Sequence, residues 1–351
     1  MLRRLFTKCL LRPEDMPPSR EDLEVIGTFN PGAVEHNGET VLMVRVAERP
    51  REQREGYTAV PMHDPEKGFE IAWFRDDELD KTDPRVVYHY VHDRKYLTFV
   101  SHCRIVRSRD GRSIDSLGQE AFMPALGYEA YGVEDPRITP LDGRYYITYV
   151  AVSRHGAATA LASTADFRSF ERHGIVFSSE NKDVVLFPER IEGDYWALHR
   201  PNPNTHFSAP EMWTARSPDL LNWGRNLPFY GGSMAWEGGR VGAGLPPFRV
   251  EEGWLEIYHG NRRPDAANKI GAYSAGVMLL DRENPTRIVR QSGEAIMLPQ
   301  EDFETQGFVS HVVFPTAFVD RGDTLLVYYG ASDTFVGVVE FSKAELMASL
   351  G

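Results

Sequence analysis

Six short apolar or alternating runs recur along the chain, each cut off by Gly, Pro, Asp or Asn, and they limit what it can fold into. They are Thr40–Val46, Tyr96–Val100, Tyr145–Val150, Tyr195–Leu198, Gly253–Tyr258 and Thr324–Tyr329. Their length and composition read as β-strands, and Asp142-Gly143, Glu192-Gly193, Glu252-Gly253 and Arg321-Gly322 read as hairpin turns entering four of them. The runs end at Arg45, His102, Ser153, Arg200, His259 and Gly330, a spacing of roughly fifty to seventy residues. A second echo keeps the same spacing. Ser108-Arg-Asp110, Ser163-Thr-Ala-Asp166 and Ser217-Pro-Asp219 each precede an apolar residue (Ile114, Phe170 or Trp223) four positions after the Asp. One unit of this size cannot bury both faces of its sheet, so units must pack on one another. A repeat of several short strands is the mark of a β-propeller. The count gives five or six blades, and a β-sandwich with accidental spacing is the competing architecture. Long helical periodicity is absent. Helix is expected only in the N-terminal segment, within an extension over 1–23, and over 342–350, where Ser342 can cap the start. No linker-like stretch divides the chain, so the reading is all-β, one domain over 1–351.

Composition removes several functions. With 39 basic against 51 acidic residues the formal charge is −12, a balance that repels nucleic acid and anionic lipid. No apolar run is long enough to span a bilayer. The opening residues 1–11 carry Lys8 inside their apolar stretch and lead into Arg12-Pro13, which does not read as a signal peptide. Two cysteines, Cys9 and Cys103, are too few for a disulfide scaffold or a thiolate metal site. A cytoplasmic protein is expected, with neither nucleic acid nor membrane as partner and homo-oligomer formation left open.

The densest chemical site is Tyr131-Gly-Val-Glu-Asp-Pro-Arg-Ile-Thr139. In an extended segment adjacent side chains face opposite ways, so Glu134 and Asp135 cannot do the same job. A general acid must keep its proton at working pH, which takes burial or anionic neighbours. Read alone, Glu134-Asp-Pro-Arg137 is equally a turn with a surface ion pair. Cations gather at strand ends: Lys182, the His199-Arg200 pair, Arg240 and His259, with Arg45 in the first repeat. In a propeller the inner strands line a central channel, where such residues converge into an anion pocket; singly, each reads as a solvated charge. Arg240-Val-Gly-Ala-Gly-Leu-Pro-Pro247 lacks the spacing of a phosphate-binding loop. The histidines show no metal-ligand spacing, and no Ser-His-Asp nucleophile has support.

Taken in order, these segments resemble a known family. Asn30, Arg45, Gly132-Val-Glu-Asp-Pro-Arg-Ile-Thr139, Lys182-Asp-Val-Val-Leu-Phe-Pro-Glu189, Leu198-His-Arg-Pro201, Gly253-Trp-Leu-Glu-Ile-Tyr-His-Gly260, Leu279-Leu-Asp281 and Tyr328-Tyr-Gly-Ala-Ser-Asp333 resemble glycoside hydrolase family 130 from about residue 24 to residue 340. The resemblance implies a five-bladed propeller acting on β-mannosides, most members being inverting phosphorylases and a minority inverting β-1,2-mannosidases. Arg45-Val-Ala-Glu-Arg49 and the insertion through Asp83-Pro-Arg85 to Arg107 look most like the β-1,2-mannobiose and β-1,2-oligomannan phosphorylases. The resemblance makes Asp135 the general acid and sets Lys182, Arg200 and His259 toward phosphate, with Arg240 joining them. It sets Asn30, Arg45 and Asp333 near the sugar, and Glu134, Arg137 and Tyr258 are expected to bind substrate beside them. Ser310-His311 and Ser332 depart from the family's commoner residues, which bears on the acceptor side.

The expected chemistry is phosphorolysis. Asp135 protonates the leaving oxygen while inorganic phosphate, a co-substrate held by cations, attacks the anomeric carbon from the opposite face; neither metal nor other cofactor is needed. Inverting hydrolysis instead requires a second carboxylate to activate water, for which Glu211 or Glu237 are the candidates. A third reading is a carbohydrate-binding propeller without catalysis.

Overall fold

The computed structural model describes residues 1–83, 85–202, 207–263 and 270–351; Pro84, inside the insertion noted above, lies outside the described residues. The fold is all-β, and among the described residues no sheet closes on itself. Among the described residues, five antiparallel units built on four strands each follow one another along the chain. The first comprises Leu23–His36, Glu39–Pro50, Val100–Ser108 and Ser116–Phe122, and the second Gly132–Leu141, Arg144–Ser153, Gly156–Thr164 and Glu171–Phe177. One parallel pairing, Gly132 with Ser101, joins these two into an eight-stranded sheet. The third unit runs from Asn181–Leu186 through Tyr195–Pro201 and Met212–Ser217 to Gly224–Tyr230. The fourth contains Arg240–Ala243, Gly253–Asn261, Tyr273–Leu280 and Ile288–Gln291, with Phe248–Val250 beside it.

The fifth unit corrects an expectation. Val313–Asp320, Thr324–Ala331 and Phe335–Ser342 supply three strands, and the fourth comes from the other end of the chain. Phe6–Leu11, expected as helix, pairs antiparallel with the last strand, Phe6 opposite Glu340. That edge offers unpaired backbone groups, and a short apolar segment satisfies them as a strand more fully than as a lone turn of helix. At the C-terminus Ser342 does cap a helix, Lys343–Ala348, its hydroxyl accepting the Glu345 N–H.

Two of the six apolar runs belong to one unit, which removes the choice between five and six repeats. Thr40–Val46 and the stretch containing His102 are neighbouring strands, paired Val46 to His102. Tyr96–Val100 is not one strand: Arg94–Leu97 ends a three-stranded insertion sheet and Val100–Ser108 begins the unit. The insertion also holds the hairpin Tyr57–Asp64 and Gly68–Arg75.

Each unit buries its faces against its neighbours. Val41, Met43 and Ile105 pack on Val133 and Ile147 between units one and two. Leu141 and Leu161 meet Val184 and Ala197, Val185 and Trp196 meet Val241 and Trp254, and Leu255 and Ile257 meet Val313 and Val339. A fifth cluster joins last to first, Leu326 and Val338 against Leu42 and Val44. One segment of every unit also lines an apolar cavity of about 190 Å³, through Val34, Thr139, Pro188, Pro246 and Val319.

Two polar devices recur. The Ser-Asp echo is a turn: Asp110, Asp166 and Asp219 each accept two backbone N–H groups two and three residues on. Asp281 does the same in the fourth unit. Such side chains substitute for a missing backbone partner in the turn. The second device is a buried glutamate stapled to a tyrosine. Tyr149 donates to Glu129, Tyr258 to Glu237 and Tyr329 to Glu304, at 2.5–2.8 Å. Each carboxylate also accepts two backbone N–H groups three and four residues before it.

Candidate functional site

The first strands of three units break at the same kind of place. Pairing register shifts between Phe29 and Gly32, between Glu134 and Arg137, and between Lys182 and Val185. Inside these bulges Asn30, Asp135 and Asp183 adopt positive φ, at 46°, 50° and 53°. Asn and Asp tolerate the left-handed region better than other side-chain-bearing residues, and a bulge re-aims the side chain it carries.

Asp135 lies against a built partner set. Its Oδ1 accepts from Asn30 Nδ2 at 2.8 Å and from Arg45 Nη1 at 2.9 Å. The other Arg45 nitrogen bonds Glu134 Oε1 at 2.7 Å and its Nε donates to Ser101 Oγ at 3.1 Å, while the guanidinium carbon sits 4.5 Å from the Phe29 ring centre. Arg137 donates from Nη1 to the Asp135 carbonyl at 3.0 Å and from Nε to the Gly244 carbonyl at 2.7 Å. Burial pushes the Asp135 carboxyl up, yet Arg45, Arg137, the Asn30 hydrogen bond and Lys182 together hold it below the ordinary carboxylate range. Asp333, at φ 49° in the turn after Thr324–Ala331, behaves oppositely. Burial, reinforced by Asp135 and Glu134 and opposed by Arg45 and Arg85, pushes it up to about 6. Asp333 therefore holds its proton to a higher pH than Asp135 does.

The second cluster is cationic around one carboxylate. Asp183 Oδ2 lies 2.6 Å from Arg200 Nη1 and 3.2 Å from His259 Nε2. Burial raises Asp183, but Arg200, His259 and Arg137 outweigh it and hold the carboxyl well below the usual range. Lys182 stands opposite Arg200 in the strand register and makes no ion pair among the described residues. Arg200 Nε, Arg240 Nε and Arg137 Nη2 are buried with no hydrogen-bond partner among the described residues. Buried donors are normally satisfied, so three unspent guanidinium N–H groups mark a place for an anion. Tyr273 is half-buried beside this cluster, within reach of the charges of Arg240, Arg200, Asp183 and Asp333. Among the described residues, no group of three or more His, Cys, Asp or Glu could hold a metal ion.

The predicted residues thus divide. Asn30, Arg45, Glu134, Asp135 and Arg137 meet in one network, and Asp333 shares its field. Arg200 and His259 meet at Asp183, with Lys182 and Arg240 near them. His259 is 0% exposed and meets Asp183 from its own strand, with its Nε2 3.2 Å from the carboxylate. Tyr258 is corrected: neighbours on a strand face opposite ways, and its ring packs in the core with Val241 and Trp254, its hydroxyl spent on Glu237. Glu237 is corrected with it. Four donors (Tyr230 and Tyr258 hydroxyls, Ser233 and Met234 N–H) hold it as a staple, leaving no role as a base. Glu211 joins neither cluster; its Oε2 lies over Gly231. Sequence reasoning missed Asp183 and Tyr273. Asp183 was findable, since Asn30-Pro31, Asp135-Pro136 and Asp183-Val184 occupy the same place in successive repeats. Tyr273 was not, because its place beside the cluster is set by pairing outside its own segment, where the His311 carbonyl accepts its N–H at 3.0 Å.

A sequence profile described as beta-1,4-mannooligosaccharide phosphorylase (Glyco_hydro_130) matches residues 40–350. A beta-1,2-mannobiose phosphorylase of Listeria innocua serovar 6a is 38% identical over 348 residues, covering 97% of this chain and 96% of its own. A 1,2-beta-oligomannan phosphorylase of Thermoanaerobacter sp. is 35% identical over 248 residues, 70% of this chain and 79% of its own. The solved structure of the Listeria innocua enzyme with beta-1,2-mannobiose superposes with a TM-score of 0.89 at 37% identity, over 97% of this chain and 96% of that one.

Proposed function

The chain belongs to glycoside hydrolase family 130, and from that membership we propose that it cleaves β-1,2-linked mannosides by inverting phosphorolysis, releasing α-mannose 1-phosphate and a shortened mannoside. The observation that carries this reading is a single guanidinium joining two neighbouring clusters. Arg137 bonds the backbone of Asp135 and lies in the field of Asp183 and Arg200. One cluster offers a carboxyl group, the other unspent cations.

In this reading Asp135 gives a proton to the leaving oxygen, directly or through a substrate hydroxyl. Inorganic phosphate, the co-substrate, takes the anomeric carbon from the other face. Lys182, Arg200 and Arg240 hold it, and His259 keeps Asp183 and Arg200 in place. Asn30, Arg45, Glu134 and Asp333 position the sugar. A phosphate anion next to Lys182 and Arg200 offsets the charges that depress Asp135, so the acid gains its proton as phosphate binds. Phosphate is already an anionic nucleophile, so no second carboxylate is required. Hydrolysis has no comparable support, because Glu237 is fully engaged and Glu211 stands apart.

The five units are read as the blades of a five-bladed β-propeller spanning 1–351 as one domain. Five apolar clusters that link each unit to the next, and the last to the first, support this. No metal or other cofactor enters the scheme, and the two free thiols suit the cytoplasm. Incubation with β-1,2-mannobiose, with and without phosphate, tests the function. Mannose 1-phosphate formed only with phosphate is the expected product; free mannose at equal rates in both tubes overturns it.

A further inference from the structure

Glu256 is a fully buried carboxyl group that the chemistry above does not use. It lies on Gly253–Asn261, and no hydrophobic neighbour explains an acid at 0% exposure. Its Oε1 accepts the Gly244 N–H at 3.1 Å, and its Oε2 has no partner among the described residues. Gly244 follows directly on Arg240–Ala243, where regular pairing has just ended, and its N–H would otherwise be unsatisfied. A side chain at 244 would bring Cβ to 2.3 Å from the Ile257 carbonyl oxygen, so glycine is required for the close approach. The carbonyl of the same Gly244 accepts Arg137 Nε at 2.7 Å, and Arg137 in turn holds the Asp135 carbonyl at 3.0 Å.

We propose that Glu256 is a positioning residue for the reaction: through Gly244 it fixes the Arg137 guanidinium, and through Arg137 the bulge that aims Asp135. This rests on the phosphorylase reading. Glu256 acts as the neutral acid. A buried carboxylate with a single neutral hydrogen bond is costly, and ionisation would cancel the Arg137 charge that faces both clusters. Arg137 is the charged group acting on it, and burial, the larger influence, keeps its carboxyl well above the ordinary range.

A neutral carboxyl predicts that its amide isostere works. Glu256→Gln keeps the acceptor oxygen and the charge state, so kcat, the KM for phosphate and the pH profile of kcat stay within about twofold of wild type. Glu256→Ala leaves Gly244 unsatisfied and Arg137 unsupported, so kcat falls by about 10²-fold, the loss that small misplacements cause. Its KM for mannoside changes little. An infrared difference spectrum at neutral pH should show a protonated-carboxyl stretch that Glu256→Gln removes. Three results overturn the proposal: a Gln variant as impaired as Ala, a Gln variant without effect on that band, and an Ala variant with wild-type kcat. The infrared readout needs no turnover, so a protein inactive on mannosides sinks the functional reading without deciding this one.

Discussion

Three buried glutamates and three bulged first strands both recur around this molecule, and they recur differently. Glu129, Glu237 and Glu304 keep the same partners each time, a tyrosine hydroxyl and two backbone N–H groups. Asn30, Asp135 and Asp183 keep only the backbone, each at positive φ in a register shift, while their partners diverge. Asn30 serves Asp135, Asp135 takes Arg45, and Asp183 takes Arg200 and His259. A polar residue that repeats with its partners holds the fold; one that repeats as geometry alone is free to take a different partner in each unit.

The contrast is broken most directly at Asp135. Asp135→Asn should lower kcat by about 10³-fold, within the range for loss of a general acid, with the fold intact by circular dichroism. A variant that keeps more than a tenth of wild-type kcat would falsify the assignment. Lys182→Met should raise the KM for phosphate by roughly ten- to a hundredfold, the scale of a lost charge-assisted bond, with mannoside KM little changed. Equal rises in both constants would mean Lys182 does not discriminate the two substrates.

Titration sharpens the comparison inside the site, because two of its carboxyl groups carry opposite signs. Asp333 holds its proton more tightly folded than unfolded. The stability this gives is fully present below the unfolded value, about 3.9, and is lost as pH rises through about 6. Asp183 is depressed when folded, so its contribution is present above that unfolded value and lost as pH falls below it. Melting curves of Asp333→Asn should therefore gain on wild type from about pH 4 to pH 7, and those of Asp183→Asn should lose least at acid pH. Parallel curves for both variants would contradict the two environments.

The smallest effect belongs to the staple. Tyr258→Phe removes one of four donors to Glu237 and should cost about 1 kcal/mol of stability, with kcat within about twofold of wild type. Loss of turnover there would return Tyr258 to the site.

Strand-forming runs and the Ser-Asp turns were legible in the sequence because each is a local signal, decided within a few residues. The fifth repeat was not, since Phe6–Leu11 becomes a strand only by meeting residues more than three hundred positions away. The segments carrying Asp135, Arg45 and Arg200 were legible, and the structure brings Asp135 to Arg45 and Arg200 to Asp183. Tyr258 was misplaced because a segment identifies neighbours but not the face each one takes, and only the pairing register sets that. Asp183 was hidden in plain view between Lys182 and an apolar run, its importance resting on partners from two other strands.

That meeting of the two ends has a consequence for biosynthesis. Phe6–Leu11 leaves the ribosome more than three hundred residues ahead of its hydrogen-bonding partner, Phe335–Ser342. Until Phe335–Ser342 has emerged, Phe6–Leu11 stays unpaired, and its backbone groups are open to neighbouring polypeptides. The late strand is thus also the clasp, and deleting Phe6–Leu11 should harm solubility before it touches catalysis.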